Sequence, residues 1–174
     1  MTKNITAGIF IHTHRHSVVQ PFRAINDDGQ VNASSFLDGR FLPEYAFKNE
    51  SSSGWVAELN TPPLIYICWQ KEFVVVKFGF EFNENVDASP KDFDAIGSMD
   101  GGNWTTLHHI RGAEFSESNE FLSWEIPIEN RRSFSCFGLQ IFKSNDSDYV
   151  SVRNMIVWHW GKRFYVSTLG RQYM

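Results

Sequence analysis

An all-β fold, an antiparallel β-sandwich or jelly roll, is what this sequence predicts, and three observations carry the prediction. Apolar residues recur with a period of two in run after run, turn-forming clusters separate the runs at short intervals, and no window carries a helical stripe. Sixteen Phe and six Trp among 174 residues point the same way, because bulky aromatic side chains favour strands. At this length the expectation is one domain whose core needs no covalent staple.

In chain order, residues 1–24 read as an N-terminal extension, 25–161 as the sandwich and 162–174 as a C-terminal tail. The tail mixes aromatic and basic side chains and suits docking on a partner or on its own domain. Turn clusters at Asp27-Asp28-Gly29, Asp38-Gly39, Pro62-Pro63 and Asn83-Glu84-Asn85 punctuate the first half. PPLIYICWQ is apolar almost throughout, which places a strand centrally in its sheet. In EFVVVKFGFEF one face is Val74, Val76, Phe78, Phe80 and Phe82, opposite Lys77, Gly79 and Glu81. SPKDFDAIGSMDGGNW reads as a hairpin. Pro90 suits a strand's first residue, Phe93 to Ser98 extends it, Met99 to Asn103 tolerates positive φ, and Trp104 reopens a strand. Ser116 to Asn119 and Ser144 to Asp148 are further turns. Around them, alternation predicts inward faces of Leu122, Trp124, Ile126 and Ile128; of Phe137, Leu139 and Ile141; and of Ile156, Trp158 and Trp160, with His159 opposite.

A net charge of -4 and basic residues spaced as isolated pairs, such as Arg131-Arg132, argue against nucleic acid as a partner. No apolar run is long enough to span a membrane and no secretion leader is visible. The expectation is synthesis in the cytoplasm, with a virion as one route to the outside. Cys68 and Cys136 sit in strand-like apolar runs and read as buried free thiols. Five Asn-x-Ser/Thr sequons, beginning at Asn4, Asn32, Asn49, Asn103 and Asn145, read as turn chemistry.

The order of motifs resembles the discoidin family, the coagulation-factor type C domains with a galactose-binding-like jelly roll. The elements are Ser34-Ser35, Pro43, Ala46-Phe47 and Gly54-Trp55, then the hairpin with Gly97-Ser98, Asp100-Gly101 and Trp104. SFSCFGLQIFKSN and VRNMIVWHWG are similar to the family's late strands, and the likeness covers about residues 30 to 161. The resemblance implies a binding module that holds sugars, lipids or proteins in loops at one end of the sandwich. Lys48-Asn49 replaces the family's Asp-Gly, which leaves a structural calcium doubtful because an ammonium has no acceptor for a hard cation. The terminal disulfide and the fucose-binding His…Arg-x-Asp pattern of other members are missing, and the style looks closest to phage tail and virion versions.

Three segments are candidate sites. Asn49, Glu50 and Ser51 occupy the position of a family binding loop and offer amide, carboxylate and hydroxyl groups to a sugar. His109 and Arg111 follow the signature hairpin, where Arg clamps a carboxylate or a pair of hydroxyls, or else both belong to a solvated strand end. His12, His14 and His16 share one face if their segment is a strand, which gives a transition-metal site, a subunit contact or an exposed polar face. No catalytic carboxylate pair or activated nucleophile has a motif. The reading is a non-enzymatic attachment module, virion or tail-associated, engaging a glycan, a cell-surface receptor or an assembly protein. A purely structural assembly protein, homo-oligomeric through its termini, and an accessory module of a carbohydrate-active enzyme are the alternatives.

Overall fold

A computed structural model describes residues 22–24, 29–48, 54–82, 85–117 and 120–161, and among them are nine strands and three single-turn 3-10 helices. Only the backbone is described for residues 22–24 and 160–161. The strands are β1 (Phe22–Ala24), β2 (Gly29–Ala33), β3 (Trp55–Glu58), β4 (Leu64–Glu81), β5 (Pro90–Ser98), β6 (Trp104–Ile110), β7 (Leu122–Glu125), β8 (Ser133–Ser144) and β9 (Tyr149–Gly161). Every pairing is antiparallel, in the order β1-β9-β4-β8-β5-β6, with β2 and β7 added to β4 and β3 to β9. β1 lies within the segment that the sequence alone assigns to the N-terminal extension.

The apolar run that opens β4 is central, as its composition predicts. Its first half pairs with β2 through Trp69 and with β8, the β8 pairing continuing to Val74, and from Phe73 onward it pairs with β9 and then β7. Trp124 on β7 reaches Phe93 on β5 with ring centroids 5.1 Å apart, although β4 and β8 separate them in the hydrogen-bonded order. That contact shows how far the sheet curls, and the curl makes the two faces of a β-sandwich. Phe78, Phe80, Phe82, Phe93, Phe137, Leu139 and Ile141 fill the interior, all fully buried. Trp55 is core as well, and its indole N–H donates to the Ser35 carbonyl at 2.9 Å.

Five expectations are corrected. In β9 the inward residues are Met155, Val157 and His159, not Ile156 and Trp158, and the Trp160 side chain lies outside the described residues. Upstream, Val150 and Val152 face inward, and the face changes at a bulge where Asn154 adopts φ 47° and both Arg153 and Asn154 donate to Glu81. In β4, Val75 joins the core through the register shift between Val75 and Lys77, while Val74 is only half-buried. Ile128 is 78% exposed, because the strand ends at Glu125 and a 3-10 turn follows Pro127. Cys68 and Cys136 form a disulfide instead of two thiols: they face each other across β4 and β8 with Cα atoms 4.0 Å apart. Asn32 belongs to β2 instead of a turn, whereas Asn103 and Asn145 lie in turns and Asn4 and Asn49 fall outside the described residues.

The hairpin forms as predicted, between β5 and β6. Asp100 organises its turn. Backbone N–H groups of Asn103 and Gly102, the Asn103 amide and the Ser98 hydroxyl all donate to it and hold its carboxyl well below the usual carboxylate range. Among the described residues, no helix is long and apolar enough to cross a membrane.

Candidate functional site

The loops that meet at one end of the sandwich are tied to each other by backbone hydrogen bonds. Leu59 N–H donates to Asp148, Asn145 N–H to Ser89, Asp146 N–H to Asp87, and Ala113 N–H to Lys91. The hairpin 99–103 projects from the opposite end, since β5 runs from Pro90, beside Ser144, to Ser98, beside Cys136.

At the loop end lies a cleft of about 620 Å³ between the β3–β4 loop and the β8–β9 turn. Phe142 and Tyr149, 41% and 39% exposed, are its aromatic walls, and Asn60, Lys143, Asp146 and Asp148 supply polar groups. Ser144 shapes the turn by donating its hydroxyl to the Ser147 carbonyl and accepting from the Ser147 N–H.

Next to the cleft, on the outer face of the sheet, Asp94 joins His109 and Arg111. Period two places Asp94 outward between the core residues Phe93 and Ala95, and the register sets it opposite His109. Its Oδ1 is 2.9 Å from His109 Nδ1 and 2.8 Å from an Arg111 guanidinium nitrogen, Nη2. Arg111 Nη1 donates to the carbonyls of Phe93 and Ile110, at 2.9 and 2.7 Å, so the guanidinium is anchored to the backbone of both β5 and β6. A carboxylate accepting at Nδ1 places the proton of a neutral imidazole there and leaves Nε2 as an acceptor. The side chains of His109 and Arg111 remain 66% and 50% exposed while that of Asp94 is only 10% exposed. The Arg111 guanidinium carbon is 5.2 Å from the Phe142 ring centroid, so the same ring lines the cleft and contacts the charged set.

Two of the sequence candidates, His109 and Arg111, are thus brought together by a residue that sequence reading missed. Asp94 carries no local motif; only the β5–β6 register announces it. Phe142 reads in sequence as one more strand aromatic, and its outward position follows once Leu139 and Ile141 are assigned inward. Asn49, Glu50 and Ser51, like His12, His14 and His16, lie outside the described residues. Among the described residues, no three His, Cys, Asp or Glu side chains gather as a metal site. Lys48 Nζ lies 5.3 Å from the Tyr45 ring centroid.

No protein-family model matches the sequence, and no curated protein matches it. Solved structures do match. The third CBM32 module of a family 31 glycoside hydrolase from Clostridium perfringens superposes with a TM-score of 0.67 at 15% identity, covering 80% of this chain and 96% of that one. A CBM32 module from the same organism, in complex with GalNAc-β-1,3-galactose, has a TM-score of 0.62 at 14% identity, covering 74% and 94%. The family 32 carbohydrate-binding module of a third C. perfringens protein, in complex with galactose, has a TM-score of 0.60 at 11% identity, covering 75% and 93%. At these identities the likeness shows the fold alone: the chain has a discoidin-like jelly-roll fold.

Proposed function

We propose that the protein is a non-catalytic glycan-binding module whose site is the loop-end cleft together with Asp94, His109 and Arg111. The observation that carries this reading is the exposed Phe142 ring between a cleft walled by a second aromatic and a pair of donors held by a buried carboxylate. A pyranose presents an apolar C–H face and a rim of hydroxyls. An aromatic wall with convergent polar groups in a cleft of this size matches both. The Asp94 hydrogen bonds are already made in the free protein, so little ordering cost attaches to His109 and Arg111 on binding. The same fold carries bound saccharide in two of the structural neighbours, which supports the reading by analogy. Those neighbours come from bacterial carbohydrate-active proteins, and the virion or tail setting forms no part of the proposal.

The disulfide adds a setting. A cross-strand Cys68–Cys136 bond persists where the surroundings are oxidising, so the module acts outside a reducing cytoplasm. The test is a glycan array with the wild-type protein and the variants Phe142→Ala, Tyr149→Ala and Arg111→Ala. The expected result is a defined glycan class bound by the wild type and lost at least tenfold in the first two. Binding that survives both aromatic substitutions would overturn the placement of the site.

A further inference from the structure

A second concave surface lies at the hairpin end, on the outer face of β2, β4 and β8. It is a groove of about 420 Å³ whose lining includes Gln30, Asn32, Tyr66, Trp69 and Ser135, with the Cys68–Cys136 disulfide among its walls. Alternation fixes who faces it. Val31 and Ala33 on β2 and Ile65 and Ile67 on β4 turn to the core, so Gln30, Asn32, Tyr66 and Cys68 turn outward. The register pairs Gln30 with Cys68 and Asn32 with Tyr66, setting an amide beside a sulfur and an amide beside a ring.

Tyr66 is held in place from a distance. Its ring meets Trp104 edge-on with centroids 5.1 Å apart, although β8 and β5 lie between their strands. The reach is open because Gly138 stands opposite Tyr66 on β8, where an added Cβ would come within 2.7 Å of the Tyr66 Cβ. Gly101, in the hairpin turn, then approaches the disulfide and the Tyr66 ring closely enough that a Cβ would lie 3.6 to 3.8 Å from them. The Asp100 carboxylate at the rim is committed to Gly102, Asn103 and Ser98. The groove therefore offers the Tyr66 ring, amides and hydroxyl oxygen, while the Asp100 carboxylate at its rim is already engaged.

We propose that this groove is a second saccharide site, selective for a neutral hexose, separate from the loop-end cleft and its cationic side chains. It lies about 26 Å from that cleft, eight residues along β8 from Cys136 to Ser144 at roughly 3.3 Å per residue. One monosaccharide cannot span that distance, so the ligand that uses both sites is a polymer or a surface dense in chains, and its affinity is an avidity.

The test is a two-dimensional amide NMR titration of the full chain with galactose, N-acetylgalactosamine, glucose, mannose and glucuronic acid. At least one neutral sugar is expected to shift the amides of residues 30–32, 66–69 and 99–102, with glucuronic acid shifting them at least fivefold less. The variant Gln30→Ala with Asn32→Ala, which alters only outward side chains of β2, is expected to abolish those shifts and to keep any at 142–149. Unmoved groove amides with all four neutral sugars, or shifts that persist in the double variant, would overturn the second site. Unmoved amides at 142–149 alone would count against the loop-end cleft and leave the groove standing.

Discussion

Asp94 shows how one buried carboxylate organises a surface. Removing it leaves an exposed imidazole without its partner and a guanidinium with only its carbonyl contacts. Asp94→Ala is expected to cost about 1–3 kcal/mol in urea unfolding, the range for a lost charge-assisted hydrogen-bond partner. It is also expected to weaken glycan binding by freeing the His109 ring, which a binding isotherm on the folded variant reads. His159 sets a pH dependence of different origin. Burial pushes its imidazole below the ordinary 6.5, its Nδ1 has no hydrogen-bond partner among the described residues, and its ring centroid lies 3.9 Å from that of Phe73. The unfolded chain therefore takes up the proton more readily than the folded one. Stability is full above pH 6.5 and falls as the pH is lowered below it. Urea midpoints between pH 7.5 and 5.5 should decline in the wild type and decline less in His159→Phe. At this scale the sequence names the donors, His109 and Arg111, but not the acceptor that orients them, because a lone Asp inside a strand run has no signature of its own.

Strands and turns were the legible elements. The hairpin 90–110 follows from proline, glycine and alternation, and the central position of β4 follows from its apolar opening. Phase was not legible wherever a bulge intervenes, as at Asn154 in β9, since one extra residue exchanges the two faces of everything downstream. A β-branched residue cannot easily adopt φ 47° there, so Asn154→Val is expected to destabilise by about 1–3 kcal/mol and Asn154→Gly by much less, as chemical denaturation would show. The cysteine pairing was hidden for the same reason: two residues 68 apart in sequence become neighbours only through the β4–β8 register. Replacing both by alanine removes a cross-link over that separation and is expected to cost about 4 kcal/mol by loop-closure entropy. Thermal unfolding with and without reductant checks it, with the alanine variant expected to be indifferent to the reductant.

For the whole molecule, the slightly acidic balance argues against a nucleic-acid partner and the motif order points to the jelly roll, yet neither locates the proposed cleft or groove. The cleft and the groove are each assembled from strands distant in sequence, and each becomes visible only when the sheet has curled. The disulfide also divides the chain mechanically. A module that holds a surface glycan while its ends are tethered elsewhere bears tension, and a covalent bond between residues 68 and 136 keeps the segment between them from extending. That segment carries β5, β6 and β7, hence Asp94, His109 and Arg111, whereas Phe142 and Tyr149 lie outside it. Under a pull on its ends the wall of the cleft could be drawn out, whereas the segment that carries the charged set could not be extended. Only cleavage of the bond would release the last roughly 230 Å of contour, 68 residues at about 3.4 Å each.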